Sequence, residues 1–217
     1  MKRALKSDRG WPSSFRKEYL RERVERGLTL RDELAADLNA ATRVRALTSC
    51  FARQGDLATL LKEVLEAAIE VTSADFGNVQ LLDPAIGALR IVQQHGFLPA
   101  FLEYFDQVHD GEAACGSALR TEQRVLVEDV THSAVFRNPQ TIEVLLGAGV
   151  RAVQSTPLVG PSGRLHGMIS THYRVPKLPS DRELRALDRI VRLAADFIEW
   201  KMQNPIHEAR VGMPALT

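Results

Sequence analysis

The stretch GVRAVQSTPLVGPSGRLHGMISTHYRVP, residues 149–176, contains two runs of β-branched and small residues on either side of a Pro-Ser-Gly connector. Runs of this length around a short turn predict an antiparallel β-hairpin in which successive side chains point to opposite faces. On one face, the first run carries Arg151, Val153, Ser155 and Pro157. The matching face of the second run carries His166, Met168, Ser170 and His172.

Neither face of this hairpin is simply apolar. A strand pair covered on both sides is typically a near-continuous run of Val, Ile and Leu, whereas Ser155, Ser170 and His172 lie within these runs. Buried polar groups need hydrogen-bond partners. The three residues therefore indicate either a ligand on that face or polar core residues that satisfy one another, and the pattern leaves both interpretations open.

The composition is that of an ordinary globular protein. The chain has 217 residues, of which 45% are hydrophobic and 25% charged, which predicts one domain with an extension. The formal net charge of +1 gives no global field that favours nucleic acid or a membrane as the main partner. Residues 1–26 are locally basic, with nine Lys or Arg against four Asp or Glu, and such a segment is usually a solvated tail.

Cysteine content and hydropathy predict a cytoplasmic protein. The two cysteines, Cys50 and Cys115, are too few and too far apart for a CxxC redox pair or a four-ligand zinc site. The sequence shows no secretory leader and no run of eighteen apolar residues, so we expect neither secretion nor a membrane partner.

The N-terminal quarter predicts a helix from Phe15 to Phe51 that could break near Gly27. Its apolar residues recur at a mean interval of 3.5, the period of a coiled-coil seam. They are Leu30, Leu34, Leu38, Ala41, Val44, Leu47 and Phe51. The alternative is a helix packed on its own domain. Residues 1–54 are thus predicted to form a basic helical extension that can enter a coiled coil, and residues 203–217 a flexible tail.

Between these ends, Asp56 is a candidate N-cap for a second amphipathic helix. Strands are predicted at GNVQLLD, ALRIVQQHG and RVLVEDV, followed by the hairpin, and SDRE at residues 180–183 forms a capping box for a last helix that ends near Met202. A short helix that opens at Pro99 has the stripe Phe101, Leu102, Phe105 and Val108. The order contains no βαβ alternation and no phosphate-binding glycine loop, so it predicts an α+β fold with a central antiparallel sheet.

The ordered segments ADFGNVQLLDP, CGSALRTEQRVLVEDV, GVRAVQSTPLVGPSGRLHGMIS and PSDRELRALDRIVRLAADFIEW resemble a GAF domain over residues 55–202. GAF domains are small-molecule sensor modules of bacterial sensor kinases, phosphodiesterases and phytochromes. The resemblance implies helices on both faces of the sheet. The first and last helices of the domain would lie on the back, and a ligand pocket would lie on the front.

The hairpin is similar to the corresponding one in phytochrome GAF domains. That likeness places Ser155 where a serine contacts a bilin propionate, and His172 where a histidine meets the far ring. Thr141 stands where phytochromes carry a pyrrole-contacting histidine, and the chain has no Cys-His pair for chromophore attachment. We therefore expect no bilin and no other cofactor.

The resemblance and the alternation together predict a pocket for a small, partly polar or anionic ligand, rather than a haem or a nucleoside triphosphate. His95 and His172 are conceivable metal ligands, but a lone strand histidine more often hydrogen-bonds, and no metal is predicted. The candidate ligand-binding residues are Phe97, Phe101, Phe105, Cys115, Gly116, Ser117, Asp129, Phe136, Val153, Ser155, Met168, Ser170 and His172.

The functional prediction is a sensor that is not an enzyme. It would dimerise through flanking helices and signal to a separate protein such as a histidine kinase. One alternative is a ligand-free interaction scaffold. Another is a thiol-based redox sensor or an enzyme similar to GAF-type methionine sulfoxide reductases, in which only Cys115 could serve. A thiol near a helix N-terminus can have a lowered pKa, which would make Cys115 more reactive than Cys50. The favoured interpretation is that Cys115 is a buried structural residue.

Overall fold

The computed structural model describes residues 13–52 and 56–204. Its helices are α1 (Ser13–Ala52), α2 (Leu57–Thr72), α3 (Pro99–Tyr104), α4 (Ala113–Thr121), α5 (Pro139–Gly147) and α6 (Asp181–Gln203). Its strands are β1 (Phe76–Asp83), β2 (Ala88–His95), β3 (Gln107–Val108), β4 (Val125–Val127), β5 (Ala152–Val159) and β6 (Leu165–Tyr173). The start of the predicted basic segment and all but the first two residues of the predicted C-terminal tail lie outside the described residues.

The chain divides into two compact units between Asn39 and Ala40. The described part of the first unit is the helical stretch 13–39, which passes through Gly27 without the predicted break. Ion pairs one turn apart join Arg21 to Glu25 and Glu22 to Arg26 on its surface. Leu30 and Leu34, which belong to the predicted seam, are 57% and 60% exposed.

The second unit is built on a six-stranded antiparallel sheet in the order β3-β2-β1-β6-β5-β4. We call the side covered by α3, α4 and α5 the front face, and the side covered by α2 and α6 the back face. The predicted α+β architecture, with helices on both faces, is confirmed. The C-terminal residues of the predicted coiled-coil seam pack into the hydrophobic core on the back face, where Leu47 is buried among residues of α2 and α6.

Local signals place the two back helices. Asp56 caps α2 by accepting a hydrogen bond of 2.8 Å from the Thr59 amide. Ser180 and Glu183 form the predicted capping box at the start of α6. Because both helices present one apolar stripe, they bury it together against the back of β1, β5 and β6.

Two expectations about local structure are wrong. Val108 does not extend the stripe of α3, which ends at Tyr104, because it lies in the short edge strand β3 opposite Leu89 of β2. His166 does not share the face of Met168. It is an extra residue on β6 between the pairs Leu158–Gly167 and Val159–Leu165, and this bulge turns its ring toward Glu199 of α6, 3.2 Å away.

Candidate functional site

The candidate site lies on the front face, where β1, β5 and β6 run side by side. Ser155 of β5 stands opposite Ser170 of β6, and Ser170 stands opposite Asn78 of β1. His172 follows two residues along β6 on the same face, opposite Val153. The alternation of side chains therefore gathers a row of polar groups beneath the front helices.

A small inner cavity, with a volume of about 20 Å³, lies over these residues. It brings together many of the predicted site residues, namely Phe101, Phe105, Cys115, Phe136, Val153, Ser155, Ser170 and His172. It also includes Asn78 and Gln80 of β1, which we did not predict. The alternation in GNVQLLD already placed both on one face, but only the pairing of β1 with β6 shows that this face meets the hairpin.

The two serines satisfy each other, since their hydroxyl oxygens are 2.8 Å apart. The other polar groups of the inner cavity have buried atoms that form no hydrogen bond. Asn78 Oδ1, both amide atoms of Gln80 and His172 Nδ1 are buried without a hydrogen-bond partner. Such atoms are rare in native proteins, so their concentration around one cavity marks the place where a ligand or water would be bound.

An aromatic cluster forms the wall beside His172. The Phe97 and Phe101 rings stack with centroids 3.7 Å apart, and Phe101 lies 4.6 Å from Phe105. The His172 ring meets Phe97 edge-on at 5.0 Å. In these apolar surroundings burial lowers the pKa of His172 to about 3, so its imidazole is neutral at physiological pH.

A larger, open outer cleft of about 670 Å³ adjoins the cavity. Phe105, Ala113 and Phe136 line both spaces and form the partition between them. The remaining wall of the cleft is more polar and includes Ser117, Arg120 and Arg137. The cleft has the volume of an ordinary small-molecule site, whereas the inner cavity has room for about one water.

The comparisons with known proteins agree with this geometry. The model of the GAF domain family matches residues 54–199, about two thirds of the chain. The chain belongs to the GAF domain family. This match confirms the predicted fold and family. No match is found among curated proteins.

Solved structures show the same fold at low sequence identity. A domain named as part of a two-component sensor histidine kinase from Sinorhizobium meliloti is 24% identical, with a TM-score of 0.57 over 71% of this chain and 96% of that one. The GAF domain of a phosphoenolpyruvate-protein phosphotransferase from Coxiella burnetii is 15% identical (TM-score 0.65; 78% and 98% covered). Free methionine-R-sulfoxide reductase from Neisseria meningitidis, solved with its substrate, is 17% identical (TM-score 0.62; 76% and 92% covered).

Other predicted site residues of this GAF domain lie around the inner cavity rather than in its wall. Phe97 stacks behind Phe101, and Met168 is fully buried in the front core. Ser117 faces the outer cleft. Gly116 lines neither space, and a Cβ at this position would lie 2.2 Å from the His109 carbonyl oxygen, so close backbone packing explains the glycine.

Asp129 is occupied by local contacts. Its carboxylate accepts hydrogen bonds from Arg151 at 2.6 Å and from the Thr131 amide at 3.0 Å, which confirms that it caps the loop after β4. The Arg151 guanidinium, the Thr131 hydroxyl and amide, and His132 hold the pKa of Asp129 well below its usual range. It lines neither the inner cavity nor the outer cleft.

The structure supports the interpretation of Cys115 as a buried structural residue, and the alternative of a lowered pKa is wrong. Although Cys115 lies in the first turn of α4, burial raises the pKa of its thiol to about 11. The thiol lies beside the Gln80 amide, but neither amide atom has a partner with good hydrogen-bond geometry. At neutral pH the group is almost entirely a thiol, which is a poor nucleophile.

In residues 13–52 and 56–204 no three His, Cys, Asp or Glu side chains come close enough together to hold a metal ion. None of the helices described has the length and hydropathy needed to span a bilayer.

Proposed function

We propose that this GAF domain protein is a cytoplasmic signal-sensing regulator that binds a small molecule in the inner cavity. The observation that carries the proposal is the set of four buried, unpartnered polar atoms on Asn78, Gln80 and His172 around one cavity. Leaving such atoms unpaired costs about 1–3 kcal/mol each. A ligand that pairs with them would recover that free energy and stabilise the domain.

A route to the cavity is available from the outer cleft. Phe105 and Phe136 belong to both walls, so rotation of their side chains would join the two spaces. The outer cleft then accommodates the part of a ligand that the 20 Å³ inner cavity cannot hold. Binding would thereby reposition α3 and α5, which carry Phe101 and the buried residues Thr141 and Leu145.

A thermal-shift screen of anions, amino acids, cyclic nucleotides and aromatic acids tests this proposal. A ligand present at 100 times its Kd should add about 2.7 kcal/mol to the free energy of unfolding. Ser155→Val combined with His172→Leu should abolish that gain, whereas Ser162→Val in the exposed hairpin turn should not. If every compound that stabilises the wild type stabilises the double variant equally, the inner cavity is not the site.

The second candidate is a ligand-free interaction scaffold. The mutual hydrogen bond of Ser155 and Ser170 and the small volume of the inner cavity favour it. In a scaffold the remaining polar atoms would bind one trapped water, and no compound in the screen would change the unfolding temperature.

An enzymatic role is the least supported. The methionine sulfoxide reductase named above shares the fold, and a reaction of that type needs a cysteine thiolate. In this chain Cys115 is the cysteine at the cavity, and its raised pKa opposes thiolate formation. We therefore propose a sensory role without catalysis.

The proposal includes a homodimer that signals to a separate protein such as a histidine kinase. The 3.5-residue apolar period of α1 and the exposure of Leu30 and Leu34 support pairing with a second copy. Light scattering at micromolar concentration should give twice the chain mass. Leu30→Glu with Leu34→Glu should give a monomer, and Leu178→Glu, at an exposed leucine outside α1, should not. A wild-type monomer at all concentrations would contradict the dimer.

A further inference from the structure

The inner cavity is lined without charge. Among the described residues that form its wall, His172 and Cys115 are the only ones with titratable side chains, and no Asp, Glu, Lys or Arg is present. Burial keeps the imidazole neutral and the thiol protonated at physiological pH. A charged group placed here would lose its hydration with no opposite charge to pair with.

The unpartnered atoms also define what a ligand head group must offer. Gln80 presents both an amide N–H donor and a carbonyl acceptor, and Asn78 Oδ1 presents a second acceptor. His172 Nδ1 accepts or donates according to its tautomer. An N–H donor next to a carbonyl oxygen would pair with both atoms of the Gln80 amide and leave a second N–H for Asn78.

The wall opposite these groups is aromatic. Phe101, Phe105 and Phe136 enclose the inner cavity beneath the front helices. Rings of this kind pack well against another flat apolar group. Polar atoms on one side and rings on the other favour a flat molecule with one polar end.

From these observations we infer that the site binds an uncharged ligand whose carboxamide head group enters the inner cavity and pairs with Gln80 and Asn78, while the rest of the ligand passes between Phe105 and Phe136 into the outer cleft. The inference rests on the proposed small-molecule function and names the ligand class for that site. It narrows the expectation of a small, partly polar or anionic ligand to a neutral one, because the lining of the inner cavity supplies no cation.

Three probes of similar shape and size separate the effect of ligand charge on binding from the effect of ligand size. Benzamide is neutral, benzoate is an anion and benzamidine is a cation at pH 7. Isothermal titration calorimetry on the full chain should give benzamide a Kd at least about tenfold lower than either charged probe, because burial of an unpaired charge opposes binding.

Two variants locate the probe. Gln80→Leu removes the paired donor and acceptor at nearly constant volume and should weaken benzamide about tenfold. Gln123→Leu, at an exposed glutamine that lines neither the inner cavity nor the outer cleft, should leave benzamide binding unchanged. Far-ultraviolet circular dichroism of both variants checks that they are folded before titration.

Each other outcome overturns the inference in a recognisable way. If a charged probe binds as tightly as benzamide and loses affinity in Gln80→Leu, the ligand class is wrong but the proposed small-molecule function stands. If none of the three binds while another compound of the screen requires Gln80, the carboxamide head group is wrong. If no compound binds and a crystal structure shows one water bonded to Asn78, Gln80 and His172, both the inference and the proposed function fail.

Discussion

Replacing Gly167 with alanine should lower the free energy of unfolding by about 3 kcal/mol. Gly167 lies on β6 opposite Leu81 of β1, and a Cβ at this position would come within 2.0 Å of the Gln80 carbonyl oxygen and 3.0 Å of the Leu81 Cα. Both obstacles are backbone atoms of a central strand, so no side-chain rotation can relieve them. The same shift would move Gln80 and weaken ligand binding.

Gly147→Ala is the matched control. A Cβ at Gly147, at the end of α5, has no neighbour within 4 Å, so the same chemical change should leave stability unchanged or raise it by about 0.5–1 kcal/mol. Urea unfolding of the two variants beside the wild type measures both effects. A loss below about 1 kcal/mol for Gly167→Ala would mean that β1 and β6 are less closely packed than described.

Lowering the pH from 6.5 to 5 should destabilise the protein through His172. Burial lowers the pKa of its imidazole from 6.5 to about 3, so the unfolded chain binds this proton and the folded chain does not. Stability from this group is therefore complete above pH 6.5 and falls with decreasing pH toward 3, by up to about 1.4 kcal/mol per pH unit. The expected loss across this window is about 1.6 kcal/mol, because the unfolded-state imidazole is already half protonated at pH 6.5.

Between pH 6.5 and 5, the change in the free energy of unfolding comes from His172 rather than from the carboxylates. The pKa values of Asp129, Glu183 and Glu199 are lowered on folding from ordinary values of 3.8 and 4.5, so their stabilisation is lost mainly below pH 5. Urea unfolding at pH 6.5, 5.75 and 5 should show that stability falls with pH in the wild type and in His95→Leu, an exposed control. This pH dependence should be absent in His172→Leu. Equal slopes in wild type and His172→Leu would contradict the neutral, buried imidazole.

Features set by neighbouring residues could be predicted from the sequence. The faces of the hairpin follow from its period of two, which correctly placed Val153, Ser155 and Ser170 with His172. The caps at Asp56 and Ser180 depend on residues three positions away. These signals depend on residues that are close together in the sequence, so they can be recognised from the sequence alone.

Features that depend on distant segments were missed. Asn78 and Gln80 become site residues only because β1 pairs with β6 rather than with a sequence neighbour alone. The bulge that turns His166 toward Glu199 likewise depends on how β5 and β6 pair at their ends. The pKa of the Cys115 thiol could not be assigned from its helix position, because loss of hydration beside the inner cavity outweighs the effect of the helix terminus.

We propose that the polar atoms of the inner cavity are kept for a ligand and not for the stability of the fold. The unfolding free energy of Gln80→Leu without ligand tests it most directly. Gln154→Leu is its counterpart, since Gln154 is equally buried but faces the back of the sheet and is hydrogen-bonded to Thr156 and Thr171. We expect Gln80→Leu to be as stable as the wild type or more stable by about 1 kcal/mol, and Gln154→Leu to lose about 1–3 kcal/mol. A comparable loss in Gln80→Leu would show that Gln80 is a satisfied structural residue and would contradict the account.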